Sequence, residues 1–161
     1  MRVKIVSHTT FGAERYRERK KIISELLGPR IKRIEHIGST AVPGLDAKPI
    51  IDILIEVENV ADANTQACLV RAGFLLVVDE PGHRMFRSAF DDVHLHAWQS
   101  GDPEIERHIL FREWLRSNEA DRQLYETEKR RLAMQDWPSQ NDYAQAKSPV
   151  INEILTRARN S

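Results

Sequence analysis

Two hydrophobic periods run through this chain, and each change of period marks an element. The alternation at residues 3–6 predicts a short strand. Over residues 11–27, Tyr16, Ile23 and Leu27 form one apolar stripe with Ile22 and Leu26 beside it, which predicts a helix. Gly28-Pro29 supplies its stop. A strand over 31–37 leads into the turn-rich stretch GSTAVPG at 38–44, and IIDILIEV at 50–57 reads as a central, largely apolar strand. A helix over 62–72 with Gly73 as its cap follows. Strands over 74–78, 84–90 and 93–98 come next, the last two flanking an Asp91-Asp92 turn. Beyond residue 101 the period is helical. Asp102 and Pro103 open a helix over 104–116, a second covers 119–134, and Ser148-Pro149 starts a third that ends near Arg159.

The pattern predicts one mixed α/β domain over residues 1–161, with its sheet core in about 1–100 and helices over about 102–159. Composition then narrows the chemistry. The single cysteine, Cys68, excludes a disulfide framework and a cysteine-only zinc site. The 24 basic and 24 acidic residues cancel, so nothing marks a general nucleic-acid binder. The basic stretch ERYRERKK is laced with acids at helical spacing and reads as a solvated face. With Arg30, Lys32 and Arg33 nearby, a modest phosphate-attracting patch is the alternative. No apolar run approaches the roughly 18 residues of a membrane span, and the first residues lack a signal-peptide core. The expectation is a cytoplasmic globular protein without membrane contact.

The chemistry concentrates in HIGSTAVPGLDAKPIIDILIEV at 36–57. A glycine and a serine follow a strand directly, and the next strand carries one carboxylate, Asp52. Gly38 permits close backbone approach, and Ser39 adds a hydroxyl beside backbone N–H groups; if a helix begins there, those donors and the helix dipole form a phosphate cradle. Asp52 would then hold a magnesium ion bridging phosphates. The plainer reading is a turn, with a strand aspartate capping a neighbouring loop. Strand alternation aims Asp52, Leu54 and Glu56 to one face, opposite Ile53 and Ile55.

HIGSTAVPGLDAKPIIDILI resembles the signature of the GrpB family, which is similar to the nucleotidyltransferase superfamily. Arg84-Met85-Phe86-Arg87, His94-Leu95-His96, RHILFREWLR at 107–116, Tyr125 with Lys129, and Tyr143 with Lys147 resemble later blocks of that family. The resemblance spans nearly the whole chain. It implies a nucleotidyltransferase-like α+β fold, a small mixed β-sheet flanked by helices with a helical C-terminal third. It also implies a nucleotide or other phosphate-bearing small molecule as partner. GrpB-like domains can occur fused to dephospho-coenzyme A kinase, which hints at coenzyme A metabolism. The superfamily pattern has Gly-Ser, two aspartates one residue apart on the next strand, and a third carboxylate on a neighbouring strand. Gly38, Ser39 and Asp52 match, but Leu54 stands at the second aspartate's position, and the third position falls in the His94–His96 strand.

The candidate set follows. Gly38, Ser39, Thr40, Lys48, Arg84, Arg112 and Lys147 are expected at phosphate. Asp52, His94 and His96 are expected in catalysis, with Asp52 and His96 as metal ligands. Mg²⁺ is the expected ion, Mn²⁺ or Zn²⁺ the alternatives suited to imidazole. Arg84 and Arg87 fall on opposite strand faces, so at most one faces a pocket. The activity expected is nucleotidyl transfer to an unknown acceptor. Its competitors are a non-catalytic binding or interaction module and a His-His-Asp metal hydrolase.

Overall fold

The computed structural model describes residues 1–7 and 11–161. Among these, five strands form a sheet: β1 (Ile31–Ile37), β2 (Ile51–Val57), β3 (Leu75–Glu80), β4 (His83–Arg87) and β5 (Val93–Gln99). Their spatial order is β1-β2-β5-β4-β3, with β2 and β5 parallel at the centre and every other pair antiparallel. Asp52 lies beside His94 and Leu54 beside His96 in that central pair.

Strand alternation sorts the two faces. Ile51, Ile53, Ile55 and Val57 join Val93, Leu95, Ala97 and Phe86 on one face. There they pack under α1 (Phe11–Leu27) through Ile23 and Leu27, and under α2 (Ala63–Arg71) through Leu69. Asp62 caps α2, its side chain accepting from the Thr65 amide. On the other face, Leu54 and Ile37 are sealed by Ile105 of α3 (Pro103–Ser117). The remaining helices are α4 (Glu119–Ala133), α5 (Gln140–Ala146) and α6 (Ser148–Arg159). They cover the other end of the same face, α4 through Tyr125 and α6 through Val150 and Ile154, packed with Val42 and Leu45 of the loop after β1.

The predicted helices and five of the six predicted strands are found, with ends moved by a few residues. Residues 3–6 form no strand; they contribute one bridge, Val6 to Ala47. The alternation there serves packing, since Val3 and Ile5 enter a cluster with Leu132 and Tyr143. Helix α5 is an addition. Its sequence QNDYAQA offers one buried apolar anchor, Tyr143, too little for a periodic signal. Ser148 lies inside α6 rather than capping it, and Lys147 occupies the N-cap position without a side-chain cap bond. No helix among the described residues is long and apolar enough to cross a membrane.

Candidate functional site

A cavity of about 470 Å³ opens between the α3-side face of the sheet and helices α4 and α5. Its volume falls in the range of small-molecule sites. Gly38, Ser39, Thr40, Lys48, Asp52, His94, His96 and Lys147 all line it. A local geometric demand brings Ser39 there. Gly38 has φ 75° and ψ −176°, a conformation open essentially to glycine alone. A Cβ at Gly38 would lie 2.6 Å from Asp52 Oδ2. The chain thus turns over the Asp52 carboxylate at contact distance and presents Ser39 at the start of a single 3₁₀ turn, Ser39–Ala41. Thr40 faces the cavity, but its hydroxyl is engaged 2.9 Å from His36 Nε2.

Opposite Ser39 stands Lys129 of α4, only 3 % exposed. Its ammonium donates to Ser39 Oγ (2.9 Å) and to the Asp46 carbonyl (2.5 Å), and lies 5.1 Å from the Tyr125 ring. Burial, then the nearby Lys147 charge, pushes Lys129 down to about 7. Lys48 is also held below its ordinary value, by burial and by Lys147, and burial lowers Lys147. Lys48 and Lys147 lean over the Tyr143 ring at 5.6 and 4.9 Å. Lys48 reaches Gln140 Oε1 at 3.3 Å. None of the three lysines has a carboxylate within salt-bridge distance among the described residues, although ion pairs are frequent elsewhere on the surface.

The opposite wall is a carboxylate with imidazoles. His96 Nε2 lies 3.4 Å and His94 Nδ1 3.8 Å from the same oxygen, Asp52 Oδ1. His94 Nε2 is 2.9 Å from Asp91, and His96 Nδ1 is 3.4 Å from His83 Nε2, which continues to Glu80 at 3.4 Å. Burial would raise the Asp52 carboxyl. The His96 hydrogen bond, with the His96, His94 and Lys48 charges, outweighs it and holds the group below its ordinary value. Three polar contacts of 3.4 Å each, long for hydrogen bonds, thus link Glu80, His83, His96 and Asp52 in a row from the surface to the cavity.

A pair of catalytic metal ions needs several oxygen ligands, and the residues here do not fit one. Among the described residues Asp52 is the one carboxylate lining the cavity. Its Oδ1 faces both imidazoles, and its Oδ2 packs against Gly38. Leu54, at the second-aspartate position, is fully buried against Ile37 and Ile105. Among the described residues no group of three or more His, Cys, Asp or Glu side chains is arranged to hold a metal.

Two predicted phosphate ligands are not brought to the cavity. Arg84 shares strand parity with Phe86 and so emerges on the α2 side, where it binds Asp79 (3.0 Å) and Gln66 (2.9 Å). Arg112 ties α3 to β1, donating to Glu35 (2.7 Å) and the His36 carbonyl (3.0 Å). The candidate set also left out Lys129, together with Tyr125, which lines the same cavity. A signal existed for both: Asp121, Tyr125, Lys129 and Leu132 recur at helical spacing and form the buried stripe of α4. A lysine in an inward stripe marks an unusual site.

The five-stranded mixed sheet, with Gly38-Ser39 in the turn after β1 and Asp52 on β2, has a nucleotidyltransferase-like α+β fold. Part of the structure of the GLD-2/RNP-8 complex shares this fold, with a TM-score of 0.56 at 14 % identity over 78 % of this chain and 54 % of that one. The chain belongs to the GrpB protein family, which it matches over residues 2–157. The conserved protein GrpB from Enterococcus faecalis superposes with a TM-score of 0.83 at 30 % identity, covering 96 % of this chain and 98 % of that one. A UPF0157 protein of Halalkalibacterium halodurans is 45 % identical over 146 residues, 88 % of this chain and 74 % of its own length. A dephospho-CoA kinase of Mycobacterium leprae is 31 % identical over 178 residues, 86 % of this chain and 43 % of its own.

Proposed function

We propose that the cavity binds the phosphate of a small molecule, a nucleotide foremost. Lys48, Lys129, Lys147 and Ser39 form the anion side, and Asp52 with His94 and His96 forms the proton-handling side. The observation that carries this reading is the lysine trio. Three ammonium groups, lowered by burial or by one another and only partly offset by the charges of Asp52 (on Lys48 and Lys147) and of Glu126 and Asp46 (on Lys129), converge on one cavity, and among the described residues none of them forms a salt bridge. Gathering like charges in a buried place is unfavourable unless an anion joins them. A phosphoryl group supplies that anion, and a lysine ammonium meets it as a point charge. The similarity to a protein named dephospho-CoA kinase makes nucleotide-bearing coenzymes sensible early probes. In the catalytic version, His96 and Asp52 would take the proton from an acceptor hydroxyl as it attacks the α-phosphorus of a bound nucleoside triphosphate, breaking the bond to the β-phosphate so that pyrophosphate leaves.

The test is calorimetric titration of ATP into the wild type, Lys147→Met and Lys129→Met. Each lost charged contact is worth about 1.5–3 kcal/mol, so affinity should fall by roughly tenfold or more per variant. Equal affinity in all three proteins would refute the assignment.

A further inference from the structure

We infer that this pocket takes its phosphoryl group without a divalent ion, the lysine ammonium groups carrying the neutralisation that metal ions would otherwise provide. The inference rests on the phosphate-binding reading and names the form of ligand that site accepts: a free, metal-unbound phosphate, di- or triphosphate tail.

Three independent features lead to it. Among the described residues the donor set is wrong for a bridging ion: one carboxylate lines the cavity, with Oδ1 turned to two imidazoles and Oδ2 packed on Gly38. The position that would supply the partner carboxylate is Leu54, sealed in an apolar cluster with no exposure. The cations, finally, are already present, since Lys48, Lys129 and Lys147 line the cavity that holds Ser39. A metal ion added beside three ammonium groups would meet their repulsion. A metal-free phosphate would relieve it. In such a pocket Asp52 is a liability to phosphate affinity rather than its support, because a carboxylate repels the anion it faces. Its place beside His94 and His96 suits it to proton handling instead.

The sign of one substitution separates the two arrangements. ATP and inorganic pyrophosphate are titrated calorimetrically into the wild type and Asp52→Asn, once in EDTA and once in excess magnesium chloride. The expected result is binding in EDTA that magnesium leaves equal or weakens, with Asp52→Asn tightening it several-fold. Binding that requires magnesium, and that Asp52→Asn abolishes, overturns the inference while leaving the phosphate pocket standing. Absence of binding by either probe in both conditions overturns the phosphate-pocket reading, and this inference with it. Circular dichroism of Asp52→Asn, matching the wild type, assures that any loss is not unfolding.

Discussion

Replacing Lys129 by methionine keeps the length of a buried side chain and deletes its ammonium group, and the effect on stability should change sign with pH. In the folded protein the amine sits near 7; in the unfolded chain it returns to about 10.5. Its folded-state value is depressed, so between these limits the unfolded chain holds a proton that the folded protein lacks. Stability therefore rises with pH through this window, and the penalty is fully present below its lower end. At about 1.36 kcal/mol per pH unit, the change from pH 7 to 10.5 is about 4 kcal/mol. Methionine removes that penalty but strands the Ser39 hydroxyl and the Asp46 carbonyl, at a cost of about 1–3 kcal/mol. The variant should thus be more stable than the wild type by about 1–3 kcal/mol at pH 7. Above pH 10 it should be less stable by a similar amount. Urea unfolding of both proteins at several pH values measures the difference directly. Lys48, Lys147 and the tyrosines titrate in both proteins and largely cancel. Two curves that stay parallel within about 1 kcal/mol from pH 7 to 10.5 would refute the buried-ammonium argument.

Further expectations concern the frame around the site. Gly38→Ala should cost about 2 kcal/mol or more in urea unfolding, from backbone strain and from contact with Asp52 Oδ2; unchanged stability would show that the loop can relax. Asp121, buried and held by Arg157 (2.5 Å) and Trp114 Nε1 (2.7 Å), locks α3, α4 and α6 together. Asp121→Asn should lose about 2 kcal/mol. The Arg157 hydrogen bond holds the Asp121 carboxyl below its ordinary value, so this contribution is present above the unfolded value and disappears as pH falls through the folded one. The variant should therefore show a shallower acid limb in thermal melts. His36, pushed down to about 4 chiefly by burial, takes up a proton more readily when unfolded. Stability should fall by about 3 kcal/mol as pH drops from 6.5 to 4, and His36→Gln should flatten that segment of the melting profile.

The sheet was legible because its strands are written in a period that leaves little choice of face. The parity of β2 places Asp52 opposite the four core residues around it, as observed. Helices α1 and α4 carry apolar stripes, and the Asp102 cap with Pro103 marks the start of α3, so these elements follow from periodicity and capping chemistry. Arg84 shows what one more step would have settled, because Phe86 shares its parity and already marks that face as core. Lys129 is harder to see. It meets Ser39 across 90 residues of chain, and that contact exists only once α4 has folded back over the sheet. Gln140 and Asn141 were invisible for another reason: they sit on a seven-residue helix with one apolar anchor. Half of the candidate site thus comes from local pattern, and half from how the C-terminal helices return.

Leu54 carries a lesson about reversibility. A one-residue reconstruction of the paired-aspartate strand, Leu54→Asp, would set a carboxylate in the apolar cluster of Ile37, Ile105, Trp98 and Ile109, where the unpartnered Trp98 Nε1–H is the one polar group. An isolated charge in such surroundings costs many kcal/mol and would be protonated or expelled before it bound anything. Restoring the second acid would require opening the seam between β1, β2 and α3 at several positions together. The step from this pocket to a two-carboxylate one is therefore uphill at each single substitution, and the hydrophobic seal acts as a ratchet on the chemistry the strand can acquire.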